Sequence, residues 1–245
     1  MTFGNFRKWA GFYLNTDDLG GGVVSKILCL LVVLLRAFPH FLPTSYFDFT
    51  ALEDWFTTIM NSEEITEEML EVPFTRENYY FIGISFAVLF ISILIAALYC
   101  GLEVRYFRQA RNGLYLPVNR FIGRYIILCI FISAVIVPMF FCAVYLLLLF
   151  VLALPFMCTI VPCYMSGDEG LIKSVTGIIK RTKGKYLMIM RDICGLYLIY
   201  LVLGILVSLV GLLSQTAYYV LNSALSGWYM LVAARFCAIQ YTMDK

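Results

Sequence analysis

Long uninterrupted apolar runs, rather than alternation or narrow helical stripes, organise this chain. Tyr79–Leu102 carries no charged residue, and Ile193–Leu213 is equally neutral between Asp192 and the polar Ser214-Gln215-Thr216. Ala217–Gln240 holds one cation, Arg235, and the first run, 21–43, holds Lys26 and Arg36 near its two ends. A helix needs about 20 apolar residues to cross a hydrocarbon core roughly 30 Å thick. Each of these four runs is therefore a candidate membrane span. Tyr125–Gly167 is longer, neutral throughout, and interrupted by Pro138, Pro155 and Pro162. As one straight helix it would extend about 60 Å, twice the hydrocarbon thickness. Two spans joined by a tight turn near Val137-Pro138-Met139-Phe140 fit better. The pattern predicts an all-α polytopic membrane bundle, a single domain over 1–245 with about six spans. These are 21–43, 79–102, 121–138, 140–165, 193–213 and 217–240.

The distribution of charge sets the orientation. Six spans place 1–26, 101–124, 166–192 and 235–245 on one side, and these segments hold sixteen of the 18 lysines and arginines. Only Arg36 and Arg76 face the other way. Cytoplasmic loops carry the excess of Lys and Arg, so both termini are expected in the cytoplasm. One span over 125–167 would instead put the six cations of 166–192 outside, so charge favours the hairpin.

Three polar segments read as interfacial helices. Residues 166–186 begin with Ser166-Gly-Asp-Glu169, a capping-box pattern, followed by Leu171, Ile172, Val175, Ile178 and Ile179 at helical spacing. Lys173, Lys180, Arg181, Lys183 and Lys185 complete a basic amphipathic helix suited to anionic headgroups on the cytoplasmic surface. The outer segment 44–78 is its opposite, with nine acids against Arg76 alone. Thr50-Ala-Leu-Glu53 reads as a second capping box before Leu52, Trp55, Phe56, Ile59 and Met60, and a further short helix is expected from Ser62. A solubilising outer face accounts for the acids better than a cation-binding cup. At the N-terminus (1–20), Phe3, Phe6, Trp9 and Tyr13 share one face beside Arg7 and Lys8, again an interfacial pattern.

Composition agrees with this picture: 62% hydrophobic, 14% charged, mean hydropathy +0.86. The eight cysteines fall in or at the ends of apolar runs, no CxxC occurs, and His40 is the sole histidine. Zinc clusters and Ser-His-Asp catalysis lack their parts, and the polar segment 44–78 contains no Cys, so nothing suggests disulfide stapling. No Asp or Glu falls within the six spans, so a carboxylate proton relay is not expected. Neither a catalytic residue nor a cofactor is assigned. The intramembrane cations are Arg36, Arg235 and Lys26; Arg235 is expected to snorkel, the alternative being a lipid phosphate. Gly204, Ser208 and Gly211 form a small-residue face, with Asn222 a hydrogen-bonding position opposite, and these suit packing of the last two spans or a dimer face.

Pro155 and Pro162, the break Ser166-Gly-Asp-Glu-Gly170, and "LIKSVTGIIKRTKGKYLMIMR" running into a Gly-bearing span follow a distinctive order. Over residues 150–215 this order resembles uncharacterised bacterial six-span families related to the membrane domain attached to some glycerophosphodiester phosphodiesterases, with Ser174 and Lys183-Gly184 as the matching positions. The resemblance implies an integral protein of the bacterial cytoplasmic membrane without a catalytic motif of its own. The expected function is non-enzymatic, through anionic lipids at Lys173, Lys180, Arg181, Lys183, Lys185 and Arg235 or through a partner protein. The alternative is a permease subunit driven by a separate ATPase polypeptide, since no P-loop is present. No nucleic-acid partner is expected.

Overall fold

The computed structural model describes residues 3–16, 22–62, 72–113 and 116–242, and among these every regular element is helical. The α-helices are α1 (Phe3–Leu14), α2 (Val23–Ala37), α3 (Thr50–Asn61), α4 (Arg76–Asn112), α5 (Val118–Met165), α6 (Leu171–Thr176), α7 (Ile178–Thr182), α8 (Tyr186–Gly211) and α9 (Gln215–Thr242). Two 3-10 turns, Phe38–Phe41 and Thr44–Phe47, link α2 to α3. The all-α expectation holds. The count of spans does not: among the described residues four helices are long and apolar enough to cross a membrane, not six. They are Val23–Phe41, Arg76–Arg111, Val118–Ile136 and Tyr186–Gly211.

The two missing spans have separate causes. The segment 217–240 lies in α9, which at 28 residues reaches about 42 Å, but it occupies the centre of the bundle. It packs against α1, α2, α4, α5 and α8. A helix enclosed by other helices meets protein instead of lipid, so it can carry Ser223, Ser226, Gly227, Arg235 and Gln240, all buried. The segment 140–165 is the second part of α5, where Leu154–Met165 forms a shorter apolar stretch; the side chains of 139–153 lie outside the described residues.

No non-helical break separates 121–138 from 140–165. The helix runs from Val118 to Met165 with all three prolines inside it, each removing one backbone hydrogen bond. Its two ends nevertheless meet. One Arg124 Nη donates to Tyr164 O at 2.5 Å and Glu169 O at 2.9 Å, and the other to Gly167 O at 3.1 Å. Forty residues of straight helix would separate Arg124 from Tyr164 by about 60 Å. The chain therefore reverses between them. Phe121 and Leu128 share a core with Tyr164 and Met165 against Ala97 of α4.

This reversal gives the bundle two chemically distinct ends. At one, Arg111 reaches Thr242 O, Arg108 reaches Asp168, and Ser166 meets Tyr241, which gathers the end of α4, both ends of α5 and the end of α9. At the other, Asn78 caps α4 in a reciprocal box with Thr75 and donates to Asp48 O at 2.9 Å, tying the acidic segment to the bundle. His40 stacks on Tyr219 there, with ring centres 4.3 Å apart.

The N-terminal and acidic segments make contacts that their patterns did not announce. Trp9 and Tyr13 turn toward the bundle: Trp9 covers Gly195 of α8, and Tyr13 is buried against Phe236 of α9. The side chains of Phe3 and Phe6 lie outside the described residues. Thr50 and Glu53 form no capping box; the Asp48 carboxylate instead accepts from the Thr50 hydroxyl and amide. The Thr50 hydroxyl, and then its amide, hold the Asp48 carboxyl below its usual value, so these contacts persist until pH falls through that lowered value. The helix α3 buries none of its residues and leaves Phe56 and Met60 exposed. The short helix expected from Ser62 lies outside the described residues. Arg36 turns inward to Met230 Sδ at 3.3 Å rather than outward.

The expected packing of α8 on α9 is present, with the rings of Tyr200 and Tyr229 4.5 Å apart, but Gly204 and Ser208 take no part in it. A Cβ on Gly204 would meet nothing within 4 Å, and Ser208 is exposed with its hydroxyl on Gly204 O. Gly211 does approach Tyr218, at 3.4 Å from a built Cβ, but half-buried Asn222 makes no hydrogen bond among the described residues. The close approach is between α2 and α9 instead: a Cβ on Gly227 would lie 2.9 Å from Val33 Cγ2 and 3.4 Å from its amide nitrogen. Helices in lipid gain little by burying apolar surface, so such small-residue contacts carry much of their association. Gly227→Leu should therefore lower the midpoint of thermal unfolding in detergent by an amount matching at least about 1–3 kcal/mol of overpacking, while Gly204→Leu should leave it unchanged. Equal responses of the two variants would contradict this packing.

Candidate functional site

A charged pair stands at the centre of the helical core. Tyr99, Glu103 and Phe107 recur at four-residue intervals on α4, so they present one face to Arg235 of α9. Glu103 is 0% exposed and Arg235 3%, and Arg235 Nη1 lies 3.3 Å from Glu103 Oε2. The guanidinium sits over the Phe107 ring, 5.4 Å from its centre. Removing two charges from water carries a penalty of several kcal/mol each, and only mutual attraction with further hydrogen bonds offsets it.

The chain supplies those bonds from its own N-terminus. Arg235 Nε and Nη2 both donate to Phe12 O at 3.4 Å. Phe12 lies in the last turn of α1, where carbonyls have no partner within the helix and the helix dipole is negative. A buried cation there satisfies both. Just beyond, Thr16 O accepts from Tyr99 Oη at 3.4 Å and from the Ser25 hydroxyl. Gln240 donates to Tyr13 Oη at 2.9 Å. The pair thus docks α1 into a cradle made by α2, α4 and α9.

Arg235 was expected at the surface and is instead the most enclosed cation described here. Glu103 escaped the sequence reading because the neutral run ends at Leu102, one residue short. The signal was present: a lone carboxylate at the rim of one span and a lone cation in another, both toward the same end.

The basic segment is also rearranged. Ser166 does not cap a single amphipathic helix; its hydroxyl donates to Cys163 O and meets Tyr241 Oη at 3.0 Å. Asp168 pairs with Arg108 at 2.8 Å, and Glu169 pairs with Arg181. The helix begins at Gly170 and divides at Gly177 into α6 and α7. Arg181 explains the division. Its guanidinium donates to Ser174 O at 3.1 Å and covers Gly177, where a Cβ would come within 2.9 Å of both Arg181 Nη2 and Lys173 O. The two turns dock on α5, burying Ser174 and Thr182 and leaving Ile172 80% and Ile179 69% exposed.

The predicted contact residues therefore separate. Arg181 and Arg235 are engaged internally and Lys185 is half-buried. Lys173, Lys180 and Lys183 are exposed beside Ile172 and Ile179.

Either Glu103→Gln or Arg235→Gln alone leaves one buried charge without its counter-ion, and each should destabilise the protein by about 3–5 kcal/mol. The double variant should lose clearly less than the sum, as a double-mutant cycle in thermal or denaturant unfolding would measure; additive losses would contradict the pairing. The geometry alone carries the functional reading, for no family model, curated protein or solved structure matches this chain.

Proposed function

We propose that this chain is a multi-span protein of the bacterial cytoplasmic membrane that acts through contacts with anionic lipid or a partner protein, without chemistry of its own. Its basic end faces the cytoplasm. That orientation is supported by the gathering of Arg108, Arg111, Arg124 and Arg181 at the end where both ends of α5 lie. Positive residues next to spans stay on the cytoplasmic side.

One observation carries the reading. Lys173, Lys180 and Lys183 stand exposed together with Ile172 and Ile179, although neighbouring Arg108, Arg124 and Arg181 are drawn into internal bonds. Cations left in solution beside exposed isoleucines suit a membrane surface, where the apolar side chains enter the acyl boundary and the ammonium groups meet phosphates. At the opposite end, Phe56 and Met60 of α3 offer apolar contact without basic residues. The two surfaces thus differ in the lipids they would hold.

In bilayers of mixed phosphatidylglycerol and phosphatidylcholine, spin-labelled phosphatidylglycerol should be enriched at the surface of the intact protein. Exchanging Lys173, Lys180 and Lys183 together for Gln should weaken that preference by roughly 1 kcal/mol per charge. Unchanged lipid selectivity would remove the lipid-contact reading.

A further inference from the structure

A small cavity opens at the basic end, apart from both the buried ion pair and the exposed lysines. It measures about 160 Å³ and lies between the end of α4, the loop at Leu116 and the residues following α5. Its floor is apolar: Val104 and Met165 are almost wholly buried, and Leu116 closes one side. Its polar wall is made by Arg105, Arg108 and Asp168. The arginine side chains are partly buried, and Asp168 is exposed, so the cavity is reached from the surface.

Three properties restrict what fits. The volume is below the roughly 300–1,000 Å³ of sites that enclose a whole drug-sized ligand, so a small group enters while the rest of the molecule stays outside. The wall carries two guanidinium groups and one carboxylate, which attract a phosphate and an amine side by side. Arg108 engages Ser166 O and Asp168, two of its five N–H donors, and guanidinium groups bind phosphate in forked geometry. Finally, Arg105 and Arg108 follow directly on the neutral run that ends at Leu102, so with the basic end at the membrane surface the cavity would lie at the depth of lipid headgroups.

We propose that this cavity binds the phosphoethanolamine headgroup of a phospholipid, with the phosphate against Arg105 and Arg108 and the ammonium against Asp168. The proposal rests on the placement of the basic end at the membrane surface. It differs from the contact at Lys173, Lys180 and Lys183, which is diffuse and favours net negative charge. Asp168 discriminates among headgroups. A primary ammonium donates hydrogen bonds to its carboxylate, a quaternary ammonium has none to give, and a glycerol headgroup has no positive charge.

The test uses the full chain in detergent, with native mass spectrometry after addition of equimolar phosphatidylethanolamine, phosphatidylcholine and phosphatidylglycerol. One phosphatidylethanolamine should be retained in preference to the other two. Arg105→Gln should lower its retention about tenfold, and Asp168→Asn should turn the preference toward phosphatidylglycerol. Asp168→Glu, which keeps the carboxylate, should retain the original order; if it behaves as Asn does, the loss is structural and the proposal fails. Soluble phosphoethanolamine should displace the lipid. Were it to bind while the diacyl lipid is not retained, the lipid as source would be overturned. No headgroup preference in the unaltered protein, or the same preference in Arg105→Gln and Asp168→Asn, would overturn the site. Replacing Lys173, Lys180 and Lys183 by Gln should leave this retention intact, so failure of the surface contact and failure of the cavity are separately visible.

Discussion

The architecture depends on the guanidinium of Arg124 and the carbonyls it holds at Tyr164, Gly167 and Glu169. Those carbonyls come from the end of a long helix and the turn after it, where backbone acceptors lack partners. One cation satisfies three of them, and its Cζ lies 4.9 Å from the centre of the Tyr164 ring. By doing so it fixes the return of α5 to its point of departure. The segment that follows must then emerge beside α4 instead of across the bilayer from it. Arg108 with Asp168 and Arg181 with Glu169 extend the same logic. Bringing so many cations to one end is tolerable because these arginines are engaged locally, and the lysines that are not stay in solvent.

The Glu103–Arg235 pair does a different kind of work. A buried pair is weak evidence for stability, since well-packed apolar residues often do as well. Here Arg235 of the pair also holds the Phe12 carbonyl in the last turn of α1, so its role is to specify where the N-terminal helix sits. Around it α9 has traded apolar surface for small and polar residues, which are acceptable only because other helices enclose it. The lipid-facing surface falls instead to helices such as α8, which buries no residue beyond Leu196 and exposes Leu198, Val202, Ile205 and Leu209.

Much of this was legible in the sequence, for identifiable reasons. Lipid demands apolar side chains over a fixed length, so Tyr79–Leu102 and Ile193–Leu213 announce themselves. The asymmetry of Lys and Arg shows which segments share an end without any structure. Contacts made inside the bundle leave no comparable trace. Trp9 and Tyr13 have the composition of an interfacial face and are used as a docking face. The spacing of Leu171 to Ile179 is that of one amphipathic helix, yet Arg181 folding over Gly177 divides it. Glu103 sits one residue beyond a neutral run, where a charge ordinarily marks the membrane boundary. Gly204 and Ser208 have the spacing of a packing motif but face outward, whereas Gly227, in a less regular setting, meets α2.

The distance between spin labels at Arg120 and Lys173, measured by double electron–electron resonance in reconstituted bilayers, tests the reversal of α5 directly. Both side chains are exposed, and both lie beyond the Arg124 contacts in sequence. With the two ends of the helix side by side, the distance should be under about 30 Å; a helix traversing once would place the labels roughly 70 Å apart. A distribution centred near the longer value would contradict the account.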